Sequence, residues 1–193
     1  MIDTYAYKSL QTKEMLEKFL YETNKDGFLS EISFKLKNLV PKFDNRSGFE
    51  NVPQELYFEI TFNYMRFDFS VFINIDKVYR FFENVTSIPI KIPIDILDLN
   101  LALKADGNTR FPERPILILS DMYLSNLFTE NGYKGKYYPI DGRNRIKLKI
   151  LNGHDTILCY PVSTELLLEC MMSEYDALAI EALISYCKEV PFI

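Results

Sequence analysis

Over residues 8–21 the apolar positions Leu10, Met15, Leu16, Phe19 and Leu20 recur at helical spacing between charged residues. The period predicts an amphipathic helix, stopped at Asn24-Lys25-Asp26-Gly27. From residue 28 to 46 the pattern weakens, and Ile32, Phe34 and Leu36 alternate as in a short strand. Residues 56–62 and 67–75 are rich in aromatic and β-branched side chains that alternate with polar ones. The short connection between them predicts a β-hairpin with Phe58, Phe62, Phe67 and Phe69 in a sheet core. Residues 76–84 then predict a short helix with Val78, Phe81 and Phe82 facing inward.

A new pattern starts at Ile88-Pro89-Ile90-Lys91-Ile92-Pro93-Ile94. Two prolines four residues apart exclude a helix interior and favour an extended edge segment. A boundary here divides the chain into an N-terminal α+β portion, 1–84, and a second portion, 85–193, ending in two helices. Within the second portion, residues 97–103 predict a turn of helix and 105–113 a polar loop. Pro115-Ile116-Leu117-Ile118-Leu119 predicts a buried strand, and residues 120–136 one short helix before turns at Gly132 and Gly135. Residues 156–162 predict another buried strand, and 165–172 and 175–187 two helices. The fold class expected is α+β, a mixed sheet with flanking helices. No internal repeat is visible.

With 193 residues and 48% hydrophobic content the chain can bury a substantial core. A formal net charge of −5 argues against a surface that grips nucleic acid by charge alone and leaves room for a local basic patch. Cys159, Cys170 and Cys187 form no CxxC pair and suit buried thiols of a reducing compartment. The Met1-Ile2-Asp3 start lacks the basic and apolar regions of a leader, and no apolar run approaches the roughly 20 residues that span a bilayer. Cytoplasmic residence and no membrane partner are therefore expected. Asp76, Asp95, Asp98 and Asp106 are scattered, so no metal site is expected, and His154, the single histidine, reads as a surface residue in a turn.

Chemistry is suggested at Asp141-Gly142-Arg143-Asn144-Arg145, between the apolar residues 137–140 and the Leu151-Asn152-Gly153 stop. A strand ending in Asp-Gly before a basic helix start would gather backbone N–H groups, the positive helix end and two guanidinium groups around one point, as an anion requires. Gly142, Arg143, Asn144 and Arg145 are then phosphate-binding candidates and Asp141 a candidate catalytic residue. Arg110, Glu113 and Arg114, ahead of the Pro115 strand, are candidates to face the turn. A second reading stays open: Arg145-Ile146-Lys147-Leu148-Lys149-Ile150 alternates strictly, as in a half-buried strand of a β-meander turning at Asp-Gly and Asn-Gly. The spacing from Asp141 to Gly153 suits a short helix stopped by glycine, with Asp141 as its N-cap and Ile146 and Ile150 buried.

From Ile88 to about Cys187 the chain resembles the ParB and sulfiredoxin-like superfamily, in its nuclease-like and mobile-element variants. The resemblance rests on Ile92-Pro93-Ile94, Pro115-Ile116-Leu117-Ile118, Tyr138-Pro139-Ile140-Asp141-Gly142-Arg143-Asn144-Arg145, Gly153 and the strand at 157–162. It implies an Asp-Gly-x-x-Arg turn that opens a helix and handles phosphate groups of a nucleotide or nucleic acid through Gly142 and Arg145; the cofactor stays open, a nucleotide with magnesium being one candidate. Asn144 stands where many relatives carry histidine. An amide does not titrate near neutrality, which favours binding over turnover.

Three classes of function follow. One is a ParB-like phosphate-binding module, with catalysis left open through Asp141 as a metal or proton handler and Arg143 and Arg145 as charge stabilisers. Another is a non-catalytic relative acting by protein–protein contact, as an accessory or regulatory protein of a mobile element. The third is an unrelated α+β interaction domain in which the motif is only a turn.

Overall fold

A computed structural model describes residues 4–24, 27, 29–39, 57–64, 67–128 and 136–189. The Lys25-Asp26 stop, the hairpin tip at 65–66, the weakly patterned residues beyond 39 and the Gly132 and Gly135 turns lie outside the described residues. The protein is α+β, with a two-stranded antiparallel sheet, a four-stranded mixed sheet and flanking helices. Its contacts form two compact units, residues 1–74 with 168–193, and residues 75–167. Among the described residues no helix is long and apolar enough to cross a membrane.

In the first unit α1, Thr4–Thr23, buries Leu16, Phe19 and Leu20. The strands β1, Tyr57–Tyr64, and β2, Phe67–Asn74, pair in register from Tyr57 opposite Asn74 to Tyr64 opposite Phe67, as their alternation predicts. The Phe19 ring meets Phe67 and Phe69 edge-on at 5.4 and 5.8 Å, a favoured aromatic geometry. The chain comes back beside β2, where Met172 N–H donates to the Phe72 carbonyl at 2.8 Å.

The alternation of Ile32, Phe34 and Leu36 does not make a strand. These residues lie in a helix, α2, Ser30–Asn38. A strand would place all three on one face, whereas Ile32 and Leu36, four apart, are buried on one side of the helix and Phe34 is 70% exposed. Asn24 Oδ1 accepts from Leu29 N–H at 2.7 Å and orders the approach to this helix.

The second unit starts with α3, Ile75–Asn84. Val78 and Phe82 face inward as expected, but Phe81 is 42% exposed and Tyr79 is buried instead. The sheet has the order β3-β6-β4-β5, formed by β3, Ile90–Pro93; β4, Ile116–Leu119; β5, Pro139–Asp141; and β6, Thr156–Val162. The proline-flanked β3 is an edge strand antiparallel to β6, and β4, buried along its whole length, runs parallel to β6 and antiparallel to β5. Between β3 and β4 lies α4, Asn100–Leu103; α5, Met122–Phe128, follows β4, and α6, Arg143–Leu151, links β5 to β6.

One core contains Ile92, Leu97, Ala102, Ile116, Ile118, Ile146, Ile157 and Cys159, with Ile150 partly buried against it. Phe82 stacks on Tyr160 at 4.5 Å and 7°, which places α3 on the opposite face of the sheet because neighbouring strand residues point to opposite sides. After β6 come α7, Thr164–Glu169, and α8, Glu174–Glu189. In α8 the residues Leu178, Ala179, Ala182 and Leu183 are buried, and the helix packs with α1 and β2.

Candidate functional site at the Asp141–Arg145 turn

Residues 143–151 form a helix and not the middle strand of a meander. Glycines explain both of its ends. At the start Gly142 adopts φ +102°, and a Cβ there would lie 2.4 Å from Ile116 Cγ2, so β4 and the turn approach as closely as they do only with glycine. At the end Gly153 adopts φ +73°, with Gly153 N–H donating to the Ile150 carbonyl at 3.0 Å and His154 N–H to the Lys149 carbonyl at 2.9 Å. This pair of bonds is a Schellman motif, which satisfies carbonyls that the last turn would otherwise leave open.

Gly142 is the N-cap and provides no side-chain acceptor, so the expectation that Asp141 caps the helix is corrected. The Asp141 carboxylate reaches one helical turn forward instead and forms an ion pair with Arg145. Arg145 is buried, at 5% exposure. Besides Asp141, its guanidinium donates to the Tyr79 hydroxyl at 2.9 Å and to the carbonyls of Arg114 and Pro115 at 3.1 and 3.4 Å.

Tyr79 completes the cluster. Its oxygen lies 2.7 Å from Asp141 Oδ2 and 2.9 Å from the Pro115 carbonyl. A phenol has one proton, so it donates to one of these at a time, and the charged, shorter partner Asp141 is the stronger acceptor. Burial, and then the Asp141 charge, push the Tyr79 pKa well above the ordinary phenol value, while Arg145 opposes them. The hydroxyl therefore stays a donor at neutral pH.

The other expected site residues are distributed around this cluster. The Arg143 guanidinium donates to the Tyr138 hydroxyl at 3.1 Å, and Asn144 Oδ1 accepts from Gly107 N–H at 3.3 Å, tying the 105–113 loop to α6. The Arg114 guanidinium lies 3.5 Å from the centre of the Tyr79 ring, a cation–π distance, and pairs with Glu83 at 3.4 Å. It is the Arg114 carbonyl that meets Arg145. Glu113 pairs with Lys149 at 3.6 Å, and Arg110 is exposed. Tyr79 is the member that sequence reasoning missed; it lies 62 residues from Asp141, and its only local signal is one apolar helical position among several.

Among the described residues no group of three or more His, Cys, Asp or Glu is placed to hold a metal ion. The cluster can hold a charge pair and a protonated phenol in place. The fold and site thus define an α+β protein with a buried arginine at a strand-to-helix turn. No protein-family model, no curated protein and no solved structure matches the chain.

Proposed function

We propose that this is a non-catalytic binding protein, an accessory or regulatory module, in which the Asp-Gly-x-x-Arg turn is an internal brace. The disposition of Arg145 carries this reading: its guanidinium makes four hydrogen bonds within the protein at 5% exposure. A phosphate would have to displace Asp141 and two carbonyls to reach it, leaving a half-buried carboxylate without its cation, which is unfavourable. Asp141 Oδ2 is engaged by both Tyr79 and Arg145, which argues against its acting as a proton carrier.

A second reading keeps the ParB-like phosphate role. It is favoured by the order of elements: a strand ends at Asp141, α6 opens after Gly142 and stops at Gly153, and β6 is the next strand, as the resemblance implies. In that reading the helix N-terminus with Gly142, Arg143 and Asn144 meets a nucleotide with magnesium or a nucleic-acid phosphate, and Arg145 holds the frame. Calorimetric titration with nucleoside triphosphates and short DNA, with and without magnesium, separates the two. A brace predicts that Arg143→Ala leaves any affinity within about twofold of wild type. Binding that Arg143→Ala removes, in a variant with wild-type melting, would replace the brace with the phosphate role.

A further inference from the structure

At the far end of α6 from the Asp-Gly turn lies a cavity of about 220 Å³. Its lining comprises Lys91 of β3, Arg114, Lys149 of α6, His154, Glu113 and the start of β6 at Thr156, Ile157 and Leu158. Three cationic side chains and the single histidine line one cleft of a chain whose formal net charge is −5. Arg114 also pairs with the exposed Glu83 at 3.4 Å, while Lys91 and Lys149 supply the other two charges. Glu113 is the one carboxylate in the lining; it lies 3.6 Å from Lys149, and its side chain is 85% exposed, so it can swing into solvent. The Schellman bonds satisfy carbonyls at the end of α6, and the cleft presents side-chain cations rather than free carbonyl oxygens.

We propose that this cleft binds a small phosphate monoester, with the dianionic phosphoryl group between Lys91, Arg114 and Lys149 and the organic substituent against Pro112, Ile157 and Leu158. The net positive lining matches the charge of the group, and the apolar wall strengthens attraction by lowering the local dielectric. Size limits the ligand. The cavity is smaller than the roughly 300–1,000 Å³ of typical sites for drug-sized molecules, which suits a phosphoryl group with a small substituent and not a whole nucleotide. The backbone at Arg114 is fixed from beneath, because Arg145 donates to the carbonyls of Arg114 and Pro115.

The cleft shares no lining residue with the Asp141–Arg145–Tyr79 cluster or the helix N-terminus, and its test distinguishes them. Inorganic phosphate and phenyl phosphate are titrated against the full chain by calorimetry, with thermal melting of every variant. Saturable binding is expected, tighter for phenyl phosphate. Lys91→Ala and Lys149→Ala, both at positions whose charged groups reach solvent, should each weaken it about tenfold or more, as loss of a charge-assisted bond does. Lys104→Ala, an exposed lysine outside the cleft, should change it less than about twofold. Glu113→Gln should tighten binding by a few-fold, because the competing carboxylate charge on Lys149 is gone; a purely structural lysine would not respond in this way. No saturable binding by wild type, unchanged affinity in Lys91→Ala and Lys149→Ala, or loss on Arg143→Ala instead would overturn the proposal.

Discussion

Removing the buried guanidinium by Arg145→Ala should destabilise the protein rather than disarm a binding loop. Breaking a buried ion pair from one side costs about 3–5 kcal/mol, most of it the penalty on the partner left behind. The partner here is Asp141, whose side chain is 34% exposed, so water can reach the orphaned carboxylate and the cost falls to the lower end, about 3 kcal/mol. The carbonyls at Arg114 and Pro115 also lose a donor, and the one proton of Tyr79 stays with Asp141. For a chain of this length about 3 kcal/mol corresponds to a fall in Tm of roughly 6–12 °C. The chain has no tryptophan, so urea and thermal unfolding are followed by circular dichroism and tyrosine fluorescence. Arg145→Lys should recover only part of the loss, since an ammonium cannot fork to a carboxylate, a phenol and two carbonyls at once. A double-mutant cycle with Asp141→Asn should give a coupling energy of about 1–3 kcal/mol. An Arg145→Ala protein within about 0.5 kcal/mol of wild type, with no coupling to Asp141, would refute the brace.

Gly142→Ala should cost about 2–4 kcal/mol, since it adds a clash with Ile116 to the strain of a left-handed backbone, and urea unfolding measures it. Ile116→Ala should rescue little of this, because the Ile116 Cβ itself lies 2.8 Å from the added carbon. Tyr79 keeps its proton in the folded state above the ordinary phenol pKa of about 10, so the folded protein holds more protons than the unfolded one from that pH upward. Stability should therefore be unaffected by this group below pH ~10 and fall above it by up to about 1.4 kcal/mol per pH unit, and Tyr79→Phe should remove that part of the slope in urea titrations. Burial pushes the Cys159 thiol up to about 11, so at pH ~8 it should react with an aromatic disulfide only once urea unfolds the protein, as peptide mapping would show.

The hairpin and the long helices were legible from their apolar period, β3 from its prolines and β4 from its uninterrupted apolar run. β6 was legible as a strand, but it alternates between buried and exposed residues and is not buried throughout, with Leu158 42% exposed. The local pattern misled where three apolar residues alternate over five positions. Ile32-Phe34-Leu36 fits a strand face, yet the outer two are also four apart, and the helix needs only that the middle residue tolerate water. The same ambiguity in residues 145–150 was resolved by the flanking glycines, whose positive φ angles open and close α6. The cluster itself was half legible. Asp141 and Arg145 are four apart and meet once the helix is granted, but the burial of Arg145 depends on Tyr79 and on carbonyls about 30 residues away, which local sequence does not reveal.

The burial of Arg145 changes what the motif can mean. In sequence, Arg143 and Arg145 are two equal charges near a helix start, and both look available to an anion. In the fold their partners differ. Arg143 is half-buried and donates to the hydroxyl of the buried Tyr138, whereas Arg145 is buried and joins β5, α3 and the segment leading into β4. An arginine used in this way fixes the carbonyl of Arg114, and the Arg114 guanidinium lies against the face of the same Tyr79 that Arg145 bonds through its hydroxyl. The positive charge exposed to a ligand is thereby moved from the Asp-Gly turn to the loop at 112–114 and the opposite end of α6. On this argument a loss of Arg145 reaches the phosphate cleft only through the position of Arg114. Arg145→Lys, which keeps the charge but not the fork, should then weaken phenyl phosphate binding in proportion to its loss of stability. Lys91→Ala should weaken binding with no loss of stability at all.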